Sequence, residues 1–188
     1  MSRRLRIDDL TLFALPEQPA LSPDATRCAY VLRELDGDED RALRSLWAVD
    51  VAGGEPRRLT RGPADTSPAW SPDGSTIAFL RATDGPPQLW LLPADGGEPD
   101  QLTTLPLGAG APVWSPDGSR IAFGAASGEV DATGPIVADR LDYQADGSGY
   151  LRTMRKHLFV VDKETKECRQ VTRGDWHAGE PGWSPDGT

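Results

Sequence analysis

One phrase constrains this chain more than any other. Trp-Ser-Pro-Asp-Gly stands at Trp70, at Trp114 and again at Trp183, and a worn copy, Leu-Ser-Pro-Asp-Ala, begins at Leu21. Pro72 presets φ for the second position of a type I turn, and Gly74 can take the left-handed conformation that closes a hairpin. An aromatic strand end precedes the turn. After it comes Thr-Ile-Ala-Phe-Leu, in which Ile77 and Phe79 share one face and Ala78 and Leu80 the other. Apolar residues on both faces predict a strand stacked between neighbouring sheets rather than one that faces water.

The second half of the unit repeats as well: LWAVDVAGGEPRRLT from Leu46, LWLLPADGGEPDQLT from Leu89, and LFVVDKETKECRQVT from Leu158. Trp47 to Trp90 spans 43 residues and Trp70 to Trp114 spans 44. Each unit reads as four short strands with a period of about 40–45 residues, which is the pattern of a β-propeller blade. The predicted class is therefore all-β: an incomplete propeller of three four-stranded blades plus the start of a fourth. The expected divisions are an N-terminal segment at 1–19, blades at 20–67, 68–111 and 112–180, and a truncated fourth blade at 181–188. Propellers close with about 4–8 blades, so the expectation is an N-terminal fragment of a larger chain.

Spacing also locates the insertions. Trp70 to Trp90 is 20 residues but Trp114 to Phe159 is 45, which puts about 25 extra residues between strands two and three of blade three, roughly Gly128 to Lys156. Turns alternate between the two faces of a propeller, so this insertion is expected on the face opposite the Ser-Pro-Asp-Gly turns. Blade one carries a shorter acidic loop, Asp36 to Asp40, which lacks the spaced oxygen ligands of a calcium loop and reads as solvated.

Composition narrows the partners. A net charge of −9 disfavours nucleic acid, whose phosphates need basic patches. No segment approaches the roughly 20 apolar residues of a membrane span, and the first twenty residues have no apolar signal-peptide core. Cys28 and Cys168 read as free thiols, and the expected location is the cytoplasm.

The repeats resemble those of TolB-like proteins and of the prolyl oligopeptidase family of serine peptidases. The insertion, with IVADRLDYQADGSGYLRTMRKHLFVVD from Ile136 to Asp162, resembles the acylaminoacyl-peptidase-like branch of that family. The resemblance implies a propeller that gates a C-terminal α/β-hydrolase domain acting on short or N-acylated peptides. The alternative is a TolB-like module that works through protein contacts without catalysis. No Gly-x-Ser-x-Gly elbow occurs in this chain, so the resemblance carries no triad residue onto it. His157 is expected just before a strand and His177 in the connection to the fourth blade, neither with a serine partner. Substrate or interface candidates are Tyr143, Tyr150, Arg152 and Arg155, all in the insertion. No metal and no cofactor are expected; the expected partners are the chain's own hydrolase domain and peptide substrates.

Overall fold

A computed structural model describes residues 4, 6–128, 141, 143–145, 149–151 and 153–187. After a short 3-10 helix at Ile7–Leu12, every named element is a strand. The first sheet is β1 (Leu15–Leu21), β2 (Arg27–Asp36), β3 (Arg41–Asp50) and β4 (Arg57–Arg58). The second is β5 (Asp65–Trp70), β6 (Thr76–Arg81), β7 (Gln88–Pro93) and β8 (Asp100–Gln101). The third combines β9 (Val113–Trp114), β10 (Arg120–Ser127), β13 (Arg155–Asp162) and β14 (Cys168–Gln170), while β11 (Gln144–Ala145) and β12 (Gly149–Tyr150) form a separate hairpin in the insertion. All strand pairs within the sheets are antiparallel and run in chain order outward. Among the described residues no helix is long and apolar enough to cross a membrane.

The turns form as their residues dictate. The Gly74 N–H donates to Ser71 O at 2.9 Å and Gly74 sits at φ 70°, the left-handed region that favours glycine. Asp73 then ties the turn together. It accepts from Ser71 Oγ at 2.6 Å and from the Ser75 N–H at 3.0 Å. The same bonds recur around Asp24 and Asp117. Another side-chain bond repeats at the far end of every blade: Thr60, Thr103 and Thr172 each accept at 2.9 Å from the N–H of Leu46, Leu89 and Leu158.

Two apolar clusters lie between the sheets. Ile77 and Phe79 pack with Ala29, Val31 and Leu46 of the first sheet. Ala78, Leu80, Leu89 and Leu91 pack with Ile121, Phe123, Phe159 and Val161 of the third. The middle sheet is thus buried on both faces, as its sequence predicts. Each repeat tryptophan also reaches back one blade. Trp70 Nε1–H donates to Ala20 O, Trp114 Nε1–H to Ala69 O and Trp183 Nε1–H to Val113 O, at 2.9–3.0 Å. These bonds link successive first strands, which makes β1, β5 and β9 the hub side of the three sheets.

The insertion begins after Ser127, and β13 starts at Arg155. Arg155 and Lys156 are therefore strand residues, and His157 lies inside β13 rather than before it. Arg155 pairs across the sheet with Ser127, which extends the ladder beyond where spacing alone ends it.

Candidate functional site

The second and third sheets differ at one place on the insertion face. In the second, Asp65 lies opposite Arg81. Arg81 grips its carboxylate with both prongs, Nε to Oδ1 at 2.7 Å and Nη2 to Oδ2 at 2.9 Å. Asp65 is fully buried, and the guanidinium also lies 5.2 Å from the ring centres of Phe79 and Trp90. A two-pronged, desolvated pair of this kind fills its space and satisfies its own charges. Forty-four residues on, the corresponding positions are Ala109 and Ala125. The two alanines are buried in the apolar cluster between the sheets, and a cleft of about 630 Å³ opens beside them.

The cleft wall is largely apolar, with Leu107, Ala109, Ala125, Leu151 and Met154. Among the described residues its ionisable lining groups are Arg155, Lys156 and His177, all basic residue types. Close backbone approach shapes the hub side. A Cβ on Gly110 would lie 2.5 Å from Gly124 O, so this crossing admits no side chain at position 110. The Gly110 N–H donates to that same oxygen at 2.8 Å.

Among the described residues the hub-side edge of β10 carries fewer backbone bonds than that of β6. β9 pairs with β10 only at Trp114–Ile121 and Val113–Ala122, whereas β5 follows β6 from Trp70 to Asp65 with one bulge. Antiparallel neighbours alternate between pairs that exchange both backbone bonds and pairs whose groups point apart. Lys156, opposite Ala126, sends its N–H to His177 Nδ1 at 3.0 Å and accepts from the Ala178 N–H at 2.7 Å. The Ala126 N–H and C=O must then point the other way, to the hub edge. In the second sheet the corresponding Ala82 N–H reaches Ala64 O at 3.3 Å. Among the described residues the Gly110–Gly124 bond is the one backbone bond across this stretch of blade three.

The connection after β14 is tied firmly to β13. Arg155 is buried and donates to Asp175 Oδ1 through Nε at 2.7 Å, and Lys156 Nζ pairs with Glu180. His157 is also buried, 3.2 Å from Thr172 Oγ1 and 3.1 Å from Gly174 O, with its ring edge-on to Trp176. A tautomer that donates from Nε2 to the carbonyl and accepts at Nδ1 satisfies both contacts.

The four candidates from the insertion do not form one group. Tyr143 and Tyr150 come together, their rings stacked with centres 6.3 Å apart and each about half exposed on the β11–β12 hairpin. Arg155 stands apart from them in β13, committed to Asp175. Arg152 lies outside the described residues. Asp65, Arg81, Ala109 and Ala125 fall outside every repeated motif. The signal that finds them is the 44-residue offset itself, which sets an Asp–Arg pair over two alanines. Among the described residues no group of three or more His, Cys, Asp and Glu could hold a metal.

Comparison with known proteins decides the family. Residues 13–146 match the TolB beta propeller domain. The chain belongs to that family. It is also 32% identical, over an aligned length of 200 that covers the whole chain, to the uncharacterized peptidase YuxL of Bacillus subtilis, of which it covers 30%. Its fold is similar to that of Pyrococcus horikoshii acylaminoacyl peptidase, with a TM-score of 0.74 at 20% identity over 86% of this chain and 25% of that one. TolB from Acinetobacter baumannii is similar over 93% of this chain and 47% of its own, with a TM-score of 0.52 at 18% identity. The chain thus spans about a third or less of the two peptidases it resembles.

Proposed function

We propose that this TolB-type propeller region is the noncatalytic part of a cytoplasmic serine peptidase of the prolyl oligopeptidase family, acting on short or N-acylated peptides. In this reading the propeller gates access to an α/β-hydrolase domain of the same protein. The observation that carries the reading is the 32% identity to a peptidase along the whole chain. The placement of the cleft and the Tyr143–Tyr150 hairpin at the insertion end of blade three supports it, because insertions on one face of a repeat array often carry its function. Tyr143 and Tyr150 offer flat amphipathic surface to the hydrolase or the substrate, with Arg152 beside them in sequence. Arg155 contributes by holding Asp175 and the connection that borders the cleft.

The test uses the full-length protein. It should release chromogenic leaving groups from N-acetylated aminoacyl and dipeptidyl substrates, and a serine-directed phosphonate should abolish turnover. The Tyr143→Ala/Tyr150→Ala variant should lower kcat/KM several-fold with its melting temperature unchanged. Absence of phosphonate-sensitive turnover would reject the peptidase reading. It would favour a TolB-like interaction module, the alternative that the family match at residues 13–146 supports.

A further inference from the structure

The chain has two histidines, and both hold the same stretch. The connection that follows β14, residues 171–180, is bound to β13 through His157 and His177. His157 stands where blade two has Gln88 and blade one has Ser45, just before the leucine that opens each repeated segment. Gln88 shows how the position works. Its Oε1 accepts from the Thr103 hydroxyl at 2.9 Å, and its Nε2 donates to Leu105 O at 2.7 Å. His157 meets the same pair of partners in blade three, Thr172 Oγ1 at Nδ1 and Gly174 O at Nε2. Thr172 Oγ1 accepts the Leu158 N–H, as Thr103 Oγ1 accepts that of Leu89, so the hydroxyl proton goes to Nδ1. The pattern asks for a neutral ring with its proton on Nε2.

His177 acts the same way from the other side. Its Nδ1 accepts the Lys156 N–H at 3.0 Å, which a protonated ring cannot do. In blade one the N–H at this position, on Arg44, goes to the backbone oxygen of Pro63 at 2.9 Å. In blade two the position is Pro87, which has no N–H. Of the three blades only the third gives both bonds to imidazole, the side chain whose charge changes between about pH 5 and about pH 8. Among the described residues the charged neighbours of the two rings are Arg155 and Lys156 of β13 and Arg173, Asp175 and Glu180 of the connection. Arg155 Nε donates to Asp175 at 2.7 Å and Lys156 pairs with Glu180, while β10 opposite contributes the uncharged Ala125 and Ala126. A proton gained at His157 sets Nδ1–H against the Thr172 hydroxyl, and one gained at His177 sets Nδ1–H against the Lys156 N–H. We propose that residues 171–180 form a pH-sensitive clasp, closed on β13 by two neutral histidines and loosened when they gain protons. Lys156 and His177 line the cleft, so acid loosens its rim. The inference does not rest on the peptidase reading.

Amide hydrogen exchange on the full-length protein tests the clasp at about pH 7.5 and about pH 5, toward the two ends of the range in which histidine ionises. Each rate is divided by the intrinsic exchange rate at that pH. Protection of Lys156 and of residues 173–180 should fall about tenfold on acidification, the value of one good hydrogen bond. The blade-one connection, residues 59–64, should keep its protection, because Arg44 bonds a backbone oxygen that does not titrate there. His157→Gln copies Gln88, and His177→Asn sets an uncharged acceptor oxygen near the place of Nδ1. The double variant His157→Gln/His177→Asn should be protected equally at both pH values.

An equal response in residues 173–180 and 59–64 overturns the proposal, and so does a pH response that the double variant retains. If the double variant fails to fold, His157→Gln alone should lessen the response, and the comparison of the two connections in the parent still decides. No readout depends on turnover. Failure of the peptidase reading therefore leaves the clasp standing, and a clasp that does not respond to pH leaves the peptidase reading untouched.

Discussion

At the residue scale, one substitution shows what the repeated glycine does. Gly74 and Gly118 both take φ 70° in their turns, and Ala25 takes the corresponding place in blade one at φ 56°. A side chain there costs about 1–2 kcal/mol relative to glycine, partly offset by the about 0.4–1 kcal/mol of extra freedom that glycine has in the unfolded chain. The Asp24 bonds to Ser22 and Thr26 hold the turn in shape despite that strain. Ala25→Gly should therefore stabilise the protein by about 0.5–1 kcal/mol, while Gly74→Ala should destabilise it by a similar amount. Chemical denaturation of the two variants checks both signs. The turn was fully legible in the sequence, because Pro, Asp and Gly each supply a local backbone demand. The Asp65–Arg81 pair was not, because neither residue type demands the other.

At the element scale, the blades are fastened by the repeat tryptophans Trp70, Trp114 and Trp183, and a cation lies over each ring. Arg27 of blade one lies 4.8 Å from the Trp70 ring centre, and Arg120 of blade three lies 5.0 Å from that of Trp183. Blade two has Thr76 where those arginines stand. Its place over Trp114 is taken by Lys163, at 5.7 Å, from the β13–β14 turn of the ring's own blade. The repeat predicts the tryptophans as packing anchors. It does not predict this exchange, because a cation can reach a ring face from any nearby strand end. Trp114→Phe keeps an aromatic ring but loses the N–H bond to Ala69 O, and should cost about 2 kcal/mol. Lys163→Met should cost about 0.5 kcal/mol in the parent and close to nothing beside Trp114→Leu, which removes the ring. A double-mutant cycle measures the difference. Additive losses would show that the lysine merely lies near the ring.

At the scale of the whole molecule, the Ser-Pro-Asp-Gly turns lie together on one face. A Cβ at Gly74 would come within 3.7 Å of Pro23, and one at Gly118 within 3.5 Å of Pro72. The blade architecture behind this arrangement was legible because each strand carries its own period. The cleft on the opposite face was legible only as a difference between two copies, since Ala109 and Ala125 are unremarkable wherever Asp65 and Arg81 are not set against them.

The stacked turns also give the face a common acid sensitivity. Asp24, Asp73 and Asp117 are each held down to about 2 from an ordinary 3.8. The largest cause is the preceding serine hydroxyl, from Ser22, Ser71 and Ser115, followed by the backbone N–H two residues on. A carboxyl depressed in the folded state adds stability above its unfolded value and loses it as pH falls toward the folded one. Stability should therefore drop between about pH 4 and about pH 2, with all three turns titrating together. Asp73→Asn/Asp117→Asn should be less stable than the parent at pH 6, and its curve should be flatter across that window. Thermal melts at half-unit steps measure both curves. If they ran parallel from pH 5 to pH 2, the turn carboxylates would not be the groups through which acid loosens this face.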